Sequence, residues 1–343
     1  MRLDERKRLV LQAIVEDYIA TAEPVGSRTI ARKYRLGVSP ATIRNEMADL
    51  EDLGLIEQPH TSAGRVPSDS GYRFYVDWLM ADRQLSQSEQ DIIHGAFEAR
   101  LGKLHSLINN TARLLSDATR YTALVLGPRR DKAVFQHLSI VALRDGQALI
   151  MLVTDNGMVE NRVINVPPDI DMDALEKISV VINHYLRGQT VDQLGRGTIR
   201  ALETELSQYK HILAETMELV QTPKGGDEDD RVVVGGQLNI LDQPEFRDFD
   251  KVRAVLSALQ KETVVERLLT HGENSFQITI GIEHGLPELA ECSLVKATYF
   301  VDGRPLGTIG VLGPKRMQYD RVASIVKFVS AQLNDALDKF LGD

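Results

Sequence analysis

The stretch "GVSPATIRNEMADLEDLGLI", Gly37 to Ile56, constrains the fold more than any other part of the chain. Ser39 offers a side-chain oxygen to the unpaired N–H groups of a helix start. Pro40 then sits at the first helical position, where its missing N–H costs nothing. Ile43, Met47 and Leu50 form an apolar stripe at helical spacing, and Gly54 ends the helix. Upstream, Val10, Leu11, Ile14, Val15, Tyr18 and Ile19 predict a first helix over about residues 4–21. Pro24-Val25-Gly26 breaks the chain, and Ser27 is expected to cap a short second helix ending near Tyr34. Downstream, "LIEQPHTSAGRVPS" reads as two short strands around a Pro/Ser/Gly-rich tip. Three helices followed by a hairpin make the winged helix-turn-helix pattern.

The third helix also carries chemistry. With Ile43, Met47 and Leu50 buried, a wheel at about 100° per residue turns Ala41, Asn45, Ala48 and Asp49 outward, flanked by Thr42 and Arg44. Its first turns are small or hydrogen-bonding and its acids come late. A recognition helix needs that order, because its N-terminal residues meet base edges while its far end leaves the groove. Ser39 and Thr42 can reach phosphate or base, Asn45 suits adenine, and Arg44 suits either guanine or a phosphate. Ser27 and Arg28, at the start of the second helix, join the candidate DNA contacts. At the wing tip His60, Thr61, Ser62, Gly64 and Arg65 form a set able to touch phosphates or enter a minor groove. The competing reading of the third helix is an amphipathic helix of a protein-interaction module.

Charge complicates this picture. The chain has a net charge of −9, yet residues 1–75 hold 11 Lys+Arg and 11 Asp+Glu and are neutral. No basic stripe exists, so affinity for nucleic acid must come from geometry at a few positions. At 343 residues two or three domains are expected. No apolar run approaches the ~20 residues that span a bilayer. The charged, amphipathic start lacks the apolar core of an export signal, so the cytoplasm is the expected compartment and no membrane partner is expected. One cysteine, Cys292, excludes an intramolecular disulfide framework and a cysteine-based zinc site.

Beyond the wing, "GYRFYVDWLM" is predicted to be a helix packing Tyr72, Tyr75, Val76 and Leu79 onto the winged domain. Phe97, Leu101, Leu104, Ile108, Thr111, Leu115 and Ala118 predict one long helix, suited equally to a coiled-coil seam or to lying on a sheet. Four strands are expected between Tyr121 and Val166, with Asp145-Gly146 and Asn156-Gly157 as hairpin turns. Helices return from Asp169 to Leu219, followed by an exposed acidic loop, "TPKGGDEDD", and the strand-like "RVVVGGQLNIL". A helical stretch near Pro244 to Leu269, three further strands and an amphipathic helix through Val322, Val326, Val329, Leu333 and Leu337 complete the chain. Strands, then helices, then strands again suggest an α/β domain interrupted by an insertion.

Nothing in the sequence argues for an enzyme. The histidines do not pair at H-x-x-x-H spacing, and no G-x-S-x-G elbow, P-loop or G-x-G-x-x-G occurs. "GTIGVLGPKR" reads as a strand ending in a turn, and Cys292 as a small core residue. Neither cofactor nor metal is expected.

"AEPVGSRTIA", "VSPATIRNEMADLEDLGLIEQPHTSAGRVPSDSGYRFYVD" and, far downstream, "GTIGVLGPKRMQY" resemble the HrcA family of heat-inducible transcription repressors. The resemblance runs from the first helix to the last. It implies a multidomain α/β (α+β) protein with a winged-helix DNA-binding domain over residues 1–75. A GAF-like domain would follow over 76–166 and 244–343, interrupted by an inserted dimerisation domain over 167–243. It further implies a homodimer on an inverted-repeat (CIRCE-type) operator of the groE and dnaK chaperone classes, modulated by the chaperonin GroEL. One departure is visible in "ITIGIEH": the family pattern carries an acid where Ile282 stands and Asn where His284 stands. A regulator gated by a small molecule held in the GAF-like domain is the alternative, and a closed apolar pocket would mark it.

Overall fold

Helix α1 (Glu5–Thr21) begins where Asp4 accepts the Lys7 N–H, and buries Val10, Leu11, Ile14 and Val15. The computed structural model describes residues 3–341 apart from 61–63, 99–103, 129–132, 145, 156–158, 169, 191–193, 195, 222–230, 271–273 and 302. Helices α2 (Ser27–Lys33) and α3 (Pro40–Asp52) follow, and the strands β1 (Ile56–Glu57) and β2 (Val66–Pro67) pair antiparallel as the base of the wing. A further bridge, Val25 to Arg65, ties the turn before α2 to the wing. That bridge moves the start of α2. Gly26, not Ser27, is the N-cap, and Ile30 N–H already bonds to Gly26 O at 3.2 Å.

The predicted helix at Tyr72 is present as α4 (Asp69–Phe74), capped by Ser68, and it runs into a π-helical turn over Tyr75–Leu79. Tyr72 and Tyr75 are buried. The expected long helix is two helices, α5 (Gln87–Glu98) and α6 (Leu104–Thr119), and Leu101 lies outside the described residues. Ile108, Ala112 and Leu115 of α6 are buried in the core it shares with the main sheet, so the sheet-packing alternative is the one realised.

The main sheet is five-stranded and antiparallel in the order β7-β3-β10-β9-β8. Its strands are β3 (Thr122–Leu126), β7 (Val232–Gly235), β8 (Phe276–Ile280), β9 (Cys292–Val301) and β10 (Arg304–Pro314). One face carries Ala123, Val125, Tyr299, Ile309 and Val311. These pack with α6 and with Val322, Val326, Val329, Leu333 and Leu337 of α12 (Tyr319–Leu341), the stripe read from the sequence. The opposite face carries Leu124, Leu126, Leu294 and Leu312 against α10 (Phe249–Leu259) and α11 (Glu262–Thr270). Helices cover both faces of a single sheet, the layering of a GAF-like α/β domain.

The remaining strands form a separate sheet, β4-β5-β6, from Phe135–Ala142, Gln147–Thr154 and Val159–Asn165. Gly146, at φ +71°, turns the first hairpin, whereas Asp145 and the Asn156-Gly157 turn lie outside the described residues. One face of this sheet packs Leu138, Ile150 and Ile164 against α7 (Met172–Leu186), α8 (Arg196–Glu205) and α9 (Lys210–Gln221) in a core of its own. The insertion therefore starts near residue 135 rather than 167, because β4–β6 bury their apolar face on α7–α9. It ends near 221 rather than 243, because β7 pairs with β3. The acidic loop falls outside the described residues.

Cys292 is fully buried, and burial pushes its thiol up to about 12, so it is core and not a nucleophile. Among the described residues no helix is long and apolar enough to cross a membrane.

Candidate nucleic-acid interface

Local sequence sets α3. Ser39 Oγ accepts the Thr42 N–H at 3.1 Å and lies 3.0 Å from Thr42 Oγ1, closing the first turn. Ile43, Met47 and Leu50 are buried, whereas Ala41, Arg44, Asn45, Ala48 and Asp49 are exposed, the division the wheel gives. Among the described residues neither Arg44 nor Asn45 has a hydrogen bond or an ion pair. The first two turns thus present one cation and one amide whose donors are uncommitted, beside the backbone donors of a helix N-terminus.

Three of the four acids of the same helix are occupied, and Asp52 at its end is left exposed. Lys7 of α1 lies 3.0 Å from Glu46 and 2.9 Å from Asp49, with Arg6 3.5 Å from Glu46. Asp49 and Glu46, with Asp4, hold the Lys7 ammonium well above its usual range. Glu51 accepts two hydrogen bonds from Arg65, from Nε at 2.9 Å and from Nη2 at 2.7 Å. Glu46, Asp49 and Glu51, from the middle of α3 onward, are thus neutralised within the domain.

Several sequence candidates have other duties. Ser27 is only 8% exposed, in the turn that the Val25–Arg65 bridge ties to the wing. Arg65 is committed to Glu51, and its backbone exchanges two 2.9 Å hydrogen bonds with Val25, which makes it a brace of the wing. Gly64 serves the same approach, since a Cβ there would lie 2.5 Å from Val25 O. His60 is exposed; Thr61 and Ser62 lie outside the described residues.

Arg28 is exposed as expected, and two residues missing from the sequence reading join it. Arg32 follows Arg28 by four positions on the same face of α2, and Arg35 sits in the turn with φ +47°. All three are exposed and, among the described residues, without a hydrogen bond or ion pair. The i, i+4 spacing was visible in the sequence; what was not visible was that Lys33, beside them, is taken by Asp17.

Comparison with known proteins agrees with this geometry. The family model described as "Winged helix-turn-helix transcription repressor, HrcA DNA-binding" matches residues 2–75, and "HrcA protein C terminal domain" matches residues 105–323. The "Heat-inducible transcription repressor HrcA" of Pelotomaculum thermopropionicum is 47% identical over 99% of both chains. That of Symbiobacterium thermophilum is 48% identical over 97% of this chain and 98% of its own. A solved structure described as "Crystal structure of a hypothetical protein at 2.2 A resolution" superposes with a TM-score of 0.66 at 24% identity, covering 98% of both chains, and shares the fold. On both of its matched regions and over nearly its whole length, the chain belongs to the HrcA family of heat-inducible transcription repressors.

Proposed function

We propose that this chain represses heat-shock chaperone operons, of the groE and dnaK classes, as a homodimer seated on an inverted repeat of the CIRCE type in cytoplasmic DNA. Each α3 enters a major groove with its N-terminus foremost. Asn45 pairs with adenine, Arg44 with guanine or phosphate, and Arg28, Arg32 and Arg35 with phosphates. The observation that carries this reading is the asymmetry of α3: uncommitted Arg44 and Asn45 on its first turns, with Glu46, Asp49 and Glu51 paired within the domain beyond them.

The second copy is expected on the outer face of the inserted sheet. There Val141, Leu149 and Val163 stand in one cross-strand row, and Val153 pairs with Val159 in another. Val141, Val159 and Val163 are 43%, 53% and 52% exposed, an apolar surface of the kind that marks a subunit contact. The family resemblance supports GroEL as the modulating partner, and we read its action as restoring the binding-competent fold. A loss of ~1–2 kcal/mol changes an unfolded population by several-fold to about 30-fold.

Titration of the full chain on the inverted repeat and on a scrambled duplex, at about 0.15 M salt, tests the reading. A preference of about 10³-fold or more is expected, and equal affinity for the two duplexes rejects it. A second reading rests on a groove of about 670 Å³ between α5, α6 and α12, lined by apolar Ile93, Leu114 and Ile325 and by charges of both signs, Arg113 and Arg120 with Glu89 and Asp117. Its size suits a small organic molecule. Operator affinity that depends on such a ligand, and not on GroEL, would favour this gated alternative.

A further inference from the structure

The winged domain is bolted to the α/β core through α4. At one end α4 is fixed to the corner after α3: Ser68 Oγ donates to Gly54 O at 2.6 Å, and Ser68 N–H to Leu55 O at 3.1 Å. Gly71 packs so closely there that a Cβ would lie 2.0 Å from Leu55 O. At the other end α4 meets the corner between β8 and β9. Arg73 Nε donates to Glu283 Oε1 at 2.9 Å, and Arg73 Nη2 donates both to Glu283 Oε2 and, at 2.7 Å, to Ile278 O. Glu283 Oε2 also accepts the Ile280 N–H at 2.8 Å, which holds the carboxylate toward Arg73. Lys315 Nζ lies 2.9 Å from Asp69, and the Tyr72 and Tyr319 rings stand 6.0 Å apart in the shared core.

The core side of this joint is shaped for it. Gly281 has φ +56°, and a Cβ there would lie 2.3 Å from Asp69 Oδ2. Only glycine both takes that backbone conformation without strain and leaves room for the carboxylate. Arg316 adds a tie from the core to the C-terminal end of α1, donating from Nη1 to Ile19 O at 3.2 Å. The exposed face of α3, the α3–β1 corner, α4 and the core sheet are therefore linked without a free hinge at any of these joints.

We propose that the corner Gly281–Glu283, with Asp69, Arg73 and Lys315, is an indexing latch. It sets the angle and distance at which the core presents its recognition helix, and so selects the spacing between operator half-sites. This rests on the reading of a dimer on an inverted repeat, in which half-site spacing mirrors the separation of two recognition helices. Arg73 and Glu283 are positioning residues that touch no base. Their loss leaves each winged domain able to bind a half-site but frees the angle between the two.

The test uses the full chain, wild type and as Glu283→Ala, Arg73→Met and the milder Glu283→Gln. The duplexes carry the two half-sites at the natural spacing and with one base pair removed or added, and one duplex carries a single half-site. One base pair shifts the second half-site by about 3.4 Å and turns it by roughly 35°. Wild type is expected to lose about 30-fold or more at either altered spacing, because the second contact no longer reaches. The Ala and Met variants should bind all three spacings within about threefold while single half-site affinity stays within about twofold. Glu283→Gln, which keeps the shape and loses the charge, should fall between. Variants that keep the wild-type spacing profile overturn the latch. So does a fall in single half-site affinity, which would show that the joint merely maintains the winged domain. A wild type with no preferred spacing removes the dimeric reading, and the latch with it.

Discussion

Arg65 is a wing residue that looks made for a phosphate and is used for something else. Its guanidinium makes two hydrogen bonds to one oxygen of Glu51, at 2.9 and 2.7 Å, with side-chain exposures of 21% and 33%. Fully exposed ion pairs contribute about 0.2–1 kcal/mol; two charge-assisted bonds in a half-buried setting place this one at about 1–2 kcal/mol. The backbone bridge to Val25 survives truncation of the side chain. Arg65→Ala should therefore loosen the wing without unfolding it, and amide exchange at Val25 and Arg65 should speed up by about 5- to 30-fold. Glu51→Ala should have the same effect on exchange, and the double variant should add nothing more, since the two residues share one interaction.

DNA binding separates the alternatives. Arg65→Ala, removing a cation that neutralises no phosphate, should leave the salt dependence of operator binding unchanged. Glu51→Ala releases Arg65 and removes an acid, so it should strengthen binding to random duplex and steepen the salt slope by about 0.9. The reasoning is refuted if Arg65→Ala lowers the slope by about one unit while Glu51→Ala changes neither slope nor exchange.

Three further outcomes are expected. Asn45→Ala should cost about 1–3 kcal/mol per half-site and relax preference at one base pair in each half, read by titrating single-base operator variants. Val141→Asp with Val163→Asp should turn a dimer into a folded monomer in sedimentation; a variant that stays dimeric moves the interface off this face. Buried His284 donates from Nε2 to Leu289 O and accepts the Leu286 N–H at Nδ1, which requires the neutral ring, and desolvation lowers its pKa below the usual 6.5. Below pH 6.5 the unfolded chain therefore binds the proton more readily, and stability falls with acidification. Melting curves between pH 7.5 and 5, as about the range where histidine titrates, should show a steeper loss for wild type than for His284→Asn, and equal slopes would exclude His284 as the cause.

How much of this was legible in the sequence depends on the range of the interaction. The α3 cap is local, written in Ser39-Pro40, and so is the apolar stripe at Ile43, Met47 and Leu50. The partner of a strand is not local. The four strands between Tyr121 and Val166 were expected and are present, but their division between two sheets was missed. A signal for it existed. "TALVL" is apolar almost throughout and is buried at every position of β3, as a strand covered on both faces must be. "VENRVIN" alternates, as β6 does, with one face left outside the core. The role of "ITIGIEH" was illegible for a different reason. Gly281 and Glu283 answer Asp69 and Arg73, some two hundred positions away, and no periodicity links them.

The same distinction explains how a neutral domain on an acidic chain can meet DNA. Residues 1–75 hold as many acids as bases, yet the two are not matched evenly in space. Asp17 is bound to Lys33, Glu46 to Lys7 and Arg6, Asp49 to Lys7 and Glu51 to Arg65, and Asp69 takes Lys315 from the core. Internal pairing leaves Arg28, Arg32, Arg35 and Arg44 exposed and unengaged among the described residues. Exposed Asp52, at the end of α3, lies eight residues beyond Arg44. At 1.5 Å per residue that is about 12 Å along the axis, longer than the screening length of about 8 Å at physiological salt. A phosphate at the N-terminal end of α3 therefore meets Arg44 and a helix end, while Asp52, the acid of α3 left unpaired among the described residues, is screened from it. Net charge sums over the whole molecule, whereas a duplex samples one face, and on the first turns of α3 Arg44 is the charge left free to act.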